Sequence, residues 1–95
     1  MAENTNKNFK LLHPFEFRGT QYNEVSMRRA KVRDLREFSK SLDKLDPIQA
    51  MEVAIGNLTD LDDTVIAELD LEDFAPIKAH FEGFLDAMKS KSDQS

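Results

Sequence analysis

Two histidines are the side chains best suited to acid–base chemistry at neutral pH, because the ordinary pKa of histidine is about 6.5. His13 lies beside Pro14 in a segment of alternating polarity, and His80 lies in the last helical segment. Neither histidine has a Ser or Asp partner at the spacing of a known catalytic motif. The chain has no Cys, which rules out a thiolate nucleophile, a thiolate metal site and a disulfide. We therefore predict that the chain is not an enzyme and uses no cofactor.

The acidic segment at residues 60–63 suggests calcium binding, but its spacing does not fit a calcium loop. If Asp60 takes position one of that loop, the glycine required at position six is Val65 and the glutamate required at position twelve is Leu71. Carboxylates that cap helix starts explain these aspartates at least as well. We predict no metal site.

A basic segment at residues 28–36 is the strongest local charge feature, with five positive residues and one negative residue. Its cations are Arg28, Arg29, Lys31, Arg33 and Arg36. They could contact phosphates, and a nucleic-acid-binding regulator is one alternative function. The net charge of −5 and the absence of a helix-turn-helix or an aromatic stacking platform argue against nucleic acid as the partner. Such a run is more often the solvated side of an amphipathic helix or half of an electrostatic protein contact.

Charge is distributed unevenly between the two halves of the chain. Residues 1–40 carry nine Lys or Arg against five Asp or Glu, a net of +4, whereas residues 41–95 carry four against thirteen, a net of −9. A basic face and an acidic face could steer a partner or drive head-to-tail self-association. Two solvated faces of one domain are an equally good interpretation.

The length of 95 residues predicts one domain. A domain of this size buries only about 60–65% of the surface of its unfolded chain, so association with a partner would stabilise it. No apolar run reaches the roughly 18 residues of a membrane span. Residues 1–8 lack the apolar core of a signal peptide. These features predict a cytosolic-type chain with no membrane partner.

The first structural element is a predicted β-hairpin. Residues 9–17 alternate in polarity, and one face of the strand carries Phe9, Leu11, His13, Phe15 and Phe17. Pro14 cannot donate to a strand ladder, so this strand should lie at an edge or break there. Residues 18–21 form a turn with Gly19, and residues 22–27 return with Val25 and Met27 toward the core.

Helical spacing follows in the remainder of the chain. A first helix over about residues 31–43 carries Val32, Leu35, Phe38 and Leu42 as its apolar stripe. A second helix begins with Asp46 as N-cap and Pro47 in the first position, and its stripe is Ile48, Met51, Ile55 and Leu58. Gly56 inside that helix indicates close packing or a helix end. A short third helix, capped by Asp62 or Asp63, carries Val65, Ile66 and Leu69.

The last helix carries Phe74, Ile77, Phe81, Phe84, Leu85 and Met88 on one side. We prefer Asp73 over Asp70 as its N-cap, because Pro76 then lies in the first turn, where its missing N–H costs nothing. One interpretation assigns the phenylalanines to the core. In the other, the distal residues Phe84, Leu85 and Met88 stay exposed as a docking or self-association surface. The predicted fold is thus α+β, a β-hairpin followed by three or four helices in one domain over residues 9–88, with disordered tails at 1–8 and 89–95.

Four segments resemble the tail assembly chaperones of Mu-like phages and prophages. Residues 14–28, PFEFRGTQYNEVSMR, resemble the opening hairpin of that family, with its Gly turn, Tyr and final Arg. Residues 32–35 are similar to its short helix start, 55–61 to its Leu-Thr-Gly-Leu element, and 69–74 to its Leu…Asp-apolar element. The resemblance spans about residues 10–88. Asp60 stands where the family often has Gly.

The resemblance implies a non-enzymatic assembly factor. Such a protein binds the tape measure protein and keeps it soluble while the tail tube polymerises, works in the bacterial host cytoplasm, and is absent from the mature virion. The family also suggests homo-oligomers. On this hypothesis an apolar helix face holds amphipathic segments of the partner, through Phe81, Phe84, Leu85 and Met88. The alternative within the same class is another small protein-binding module or a tail component.

Overall fold

The computed structural model describes the backbone of residues 6–93 and the side chains of residues 6–86. Two strands are followed by four helices within that range. The elements are β1 (Lys7–Phe17), β2 (Thr20–Met27), α1 (Val32–Ser41), α2 (Pro47–Thr59), α3 (Asp63–Ile66) and α4 (Leu71–Asp93). The predicted α+β class and the order of a hairpin followed by helices are confirmed. β1 begins two residues before the predicted strand, and α4 continues beyond residue 88; the disorder of the tails stays a prediction.

The hairpin contains a large irregularity at the predicted break. The strands are antiparallel and joined through Arg18 and Gly19, whose φ angles of 52° and 82° are both positive, as a tight two-residue turn requires. Lys10 pairs with Glu24, but the next pair is Phe15 with Tyr22, so residues 11–14 of β1 face a single residue of β2. This bulge contains Pro14, which cannot donate to the ladder.

The bulge corrects one predicted face. We placed His13 on the core face with its neighbours, but His13 is exposed, whereas Leu11 is buried. Extra residues in one strand change which side the following side chains point to. Buried and exposed side chains of β1 therefore alternate before the bulge and do not alternate within it.

The core lies between the hairpin and the helices. Its buried members are Leu11, Val25, Met27, Ala54, Ile55, Leu58, Ile66, Leu69, Ile77 and Phe81. Helix α1 contributes Phe38, which packs edge-to-face on Phe81 with ring centroids 5.2 Å apart. Of the apolar stripe predicted for α1, the middle residues Leu35 and Phe38 are partly buried. Val32 and Leu42, at the two ends of the stripe, are 73% and 45% exposed.

Helix α2 begins and ends as its residues require. Asp46 accepts a hydrogen bond from the Gln49 N–H at 2.9 Å, and Pro47 follows it, so the predicted N-cap is confirmed. Asp60 ends the helix in the left-handed conformation at φ 61°, which Asp tolerates and Gly adopts freely. A Cβ on Gly56 would lie 2.7 Å from the Leu61 carbonyl oxygen. Gly56 is therefore needed because the chain turns back against α2 at that point.

The predicted start of α4 is wrong. Asp70, not Asp73, caps the helix, since the Asp70 carboxylate accepts from the Glu72 N–H at 2.9 Å and its carbonyl accepts from the Phe74 N–H at 2.9 Å. Pro76 therefore lies inside the helix. Its missing N–H costs the helix one backbone hydrogen bond, and the helix nevertheless continues through it. Asp73 is not available as a cap because its carboxylate is used in a tertiary contact.

Candidate functional site

An apolar groove lies between the starts of helices α2 and α4. Its volume is about 460 Å³. Its walls are Pro47, Ile48 and Met51 from α2 and Leu71 and Phe74 from α4. Lys78 and Glu82 line it one and two turns further along α4, where they form an ion pair at 2.9 Å. The walls of the groove are therefore apolar, and the charged part of its lining is the ion pair of Lys78 with Glu82.

Two side chains of the groove are unusually exposed for their type. Ile48 is 69% exposed and Leu71 is 81% exposed, whereas Met51 and Phe74 are half-buried against the core. Each exposed residue lies in the first turn of its helix, directly after the capping segment. An isolated exposed Leu is ordinary, but two large aliphatic side chains that share one groove indicate a contact surface. Helical spacing places Ile48 on the apolar stripe of α2, and no sequence pattern marks Ile48 or Leu71 as a contact residue.

The start of α4 is held in place by Asp73 and the bulge of β1. Asp73 is 4% exposed, and its two carboxylate oxygens accept hydrogen bonds from the Leu12 N–H at 2.7 Å and the His13 N–H at 3.0 Å. These two N–H groups are available to Asp73 because the bulge takes them out of the hydrogen bonding between the strands. One charged side chain thus satisfies two backbone donors and fixes the wall of the groove that α4 supplies.

Beside this anchor lies a small exposed cluster of ionisable side chains. His13 Nε2 is 2.7 Å from a Glu72 carboxylate oxygen and 3.9 Å from an Asp70 carboxylate oxygen. The hydrogen bond to Glu72, followed by the charge of Asp70, raises the pKa of His13 above 6.5. The ligand atoms of these three residues lie within 4.8 Å of one another and could hold a metal ion. All three are exposed, and the contacts already present account for the arrangement as ion pairing.

The predicted basic segment is divided by the fold. Arg28 donates to both carboxylate oxygens of Asp34 at 2.9 Å, and this contact lowers the pKa of Asp34 below its ordinary value. Arg28 therefore fixes the start of α1 against the end of β2. The other cations of the segment are exposed: Arg29, Lys31, Arg33 and Arg36.

The predicted partner residues of the last helix lie in different environments. Phe81 is fully buried in the core. Phe84 and Leu85 are half-buried and pack against the core, and the ring of Phe84 lies 5.1 Å from that of His80. The side chain of Met88 falls outside the described residues. Of the three that are described, Phe81 is a core residue and Phe84 and Leu85 are half-buried, and the contact face predicted for this helix stays a prediction.

Comparison with known proteins assigns the chain to a family. None of the helices within residues 6–93 is long and apolar enough to cross a membrane. No curated protein and no solved structure matches the chain. Residues 8–86, most of the chain, match the family described as phage tail assembly chaperone proteins, E, or 41 or 14. The chain therefore belongs to the phage tail assembly chaperone family.

Proposed function

We propose that this chaperone binds the tape measure protein through the apolar groove and keeps it soluble during tail assembly. The observation that carries the proposal is the joint exposure of Ile48 and Leu71 on the walls of one groove. Membership of the family supports a protein partner in tail assembly. A long, helical partner offers amphipathic segments whose apolar stripe fits such a groove.

The groove suits reversible binding. Covering Ile48 and Leu71 would contribute about 1–2 kcal/mol each, because full burial of such a side chain contributes about 1.5–3 kcal/mol. One such site binds weakly after the entropy of association is subtracted. Several copies along one partner would bind it well, and each would still dissociate readily. This behaviour matches a factor that acts in the bacterial host cytoplasm and is absent from the mature virion.

A second contact surface and self-association belong to this proposal. The face that we predicted at the distal end of α4 would be a second contact through Phe84, Leu85 and Met88, while Phe81 supports it from the core. Homo-oligomers would place several grooves along one tape measure protein. Neither of these needs a catalytic group, and we propose a non-enzymatic role.

Co-expression with the tape measure protein tests the groove. The variant combines Ile48→Ser with Leu71→Ser. Its control combines Leu12→Ser with Val32→Ser, which removes two aliphatic side chains that are 71% and 73% exposed outside the groove. We expect the groove variant to lower soluble tape measure protein about tenfold and the control to leave it unchanged. Equal rescue by wild type and the groove variant would contradict the proposal.

The distal face is tested separately by Phe84→Asp combined with Met88→Asp. A loss of co-purification with a retained circular dichroism spectrum would support a second contact there. The alternative role as a tail component predicts that the chain is present in purified particles, whereas the chaperone role predicts its absence.

A further inference from the structure

We propose that the groove prefers a helical partner segment that carries Lys or Arg beside its apolar stripe. This inference rests on the proposed function and adds the chemistry of the segment that is bound. It is carried by the carboxylates that adjoin the wall residues along the chain and by the pairing of the lining's cation, Lys78, with Glu82.

Carboxylates adjoin the residues of the apolar walls along the chain. Asp46 precedes Pro47 and is exposed, and Glu72 follows Leu71 and is exposed. Glu52 lies one turn beyond Ile48 on α2. The cation of the lining, Lys78, is already paired with Glu82. Glu72 is partly compensated by His13, so Asp46 and Glu52 are the carboxylates left to attract a partner.

Glu52 has no compensating cation among the described residues. It is partly buried, and no ion pair among the described residues includes it. Burial, followed by repulsion from Asp63 and Asp46, raises its pKa above the ordinary value. An ammonium or guanidinium group from a bound helix would relieve this repulsion.

A second copy of the chain is a poor occupant, although its basic segment has a suitable charge. Arg28 is held by Asp34, and Leu35 is half-buried. Among the apolar side chains of that segment, Val32 is the exposed one. One valine cannot contact both walls of a groove of about 460 Å³. We therefore assign the groove to a separate partner with several apolar residues on one stripe.

Synthetic peptides test the preference with the full chain. Two peptides of about 18 residues, or five helical turns, share one apolar stripe and differ in flanking Lys or flanking Glu. Fluorescence anisotropy should show the Lys peptide binding about tenfold more tightly at low salt, and the difference should shrink near 0.5 M salt. Equal binding of both peptides at low salt would overturn the inference.

A charge-matched pair of variants locates the effect. Asp46→Asn with Glu52→Gln retains an N-cap residue and removes two charges near the groove. Glu16→Gln with Glu24→Gln removes two exposed charges from the hairpin. We expect the first pair to weaken Lys-peptide binding about fivefold and the second to leave it nearly unchanged. Equal weakening by both pairs would show that net charge alone acts, and would overturn the inference.

The two proposals can fail separately. If Ile48→Ser with Leu71→Ser abolishes Lys-peptide binding but does not affect the tape measure protein, the proposed function fails and the groove preference stands. If the groove is needed for the tape measure protein but both peptides bind equally, the preference fails alone. Sedimentation velocity that shows wild-type association abolished by the groove variant would identify a second copy as the occupant and overturn the inference.

Discussion

The first turn of α4 buries a carboxylate on one side and exposes a large aliphatic side chain on the other, the reverse of the usual arrangement. Asp73 is charged and 4% exposed, whereas Leu71, two positions earlier and about 200° around the helix, is aliphatic and 81% exposed. A buried carboxylate needs an explanation within the fold, and an exposed Leu needs one when it shares a groove with a second exposed aliphatic side chain, as Leu71 does with Ile48. Asp73 is buried because it satisfies two backbone amides of the bulge. Leu71 has no comparable role within the fold, which points to a partner.

Asp73→Ala should produce the largest loss of stability. It leaves the N–H groups of Leu12 and His13 without their acceptor, and each lost hydrogen bond to a charged group costs about 1.5–3 kcal/mol. We expect the free energy of unfolding in urea to fall by about 3 kcal/mol. Asp73→Asn should recover part of this loss, because its amide keeps one acceptor oxygen. A fall below about 1 kcal/mol would show that Asp73 does not anchor α4.

Gly56→Ala should be the next largest effect. The added Cβ would lie 2.7 Å from the Leu61 carbonyl oxygen, which is backbone and cannot move alone. We expect a loss of about 1–3 kcal/mol in urea denaturation. Gly83→Ala is the matched control, because a Cβ there meets nothing within 4 Å; it should stabilise the helix by up to about 1 kcal/mol.

Ile48→Ser with Leu71→Ser should change stability far less than Asp73→Ala. Both side chains are largely exposed, and exposed substitutions usually change the free energy of unfolding by about 0.5 kcal/mol or less. Urea denaturation of both variants at one pH measures the contrast. A loss near that of Asp73→Ala would assign Ile48 and Leu71 to the fold rather than to a partner.

The smallest effect concerns pH. Because folding raises the pKa of His13, its contribution to stability is present below the unfolded value of about 6.5 and is lost as pH rises through the folded value. Glu72→Gln removes the hydrogen bond to the carboxylate that is the largest cause. An NMR titration should show a raised pKa for His13 in wild type and a lower one in the variant. Identical pKa values would contradict the contact.

Local features of the fold could be predicted from the sequence. The Gly19 turn, the Asp46-Pro47 helix start and the burial of Val25 and Met27 in β2 each depend on neighbouring residues, and each is present. The start of α4 was predicted wrongly because Asp73 contacts residues 60 and 61 positions away, a pairing that local preference cannot reveal. The exposure of Ile48 and Leu71 could not be predicted either, because it depends on how α2 and α4 pack together.

The site was less predictable than the fold. Aromatic content directed attention to the distal end of α4, yet Phe81 lies in the core. Helical spacing identifies an apolar stripe without showing which of its members the rest of the chain will cover. The cluster of His13, Asp70 and Glu72 joins two distant segments and left no local signal.

Chemical-shift mapping tests the central claim most directly. The isotope-labelled chain is titrated with soluble segments of the tape measure protein, and backbone amide shifts are followed by NMR. The account predicts the largest shifts at Ile48, Met51, Leu71 and Phe74, with residues 28–36 nearly unaffected. Shifts confined to the distal end of α4 or to the basic segment, with the groove unchanged, would contradict it.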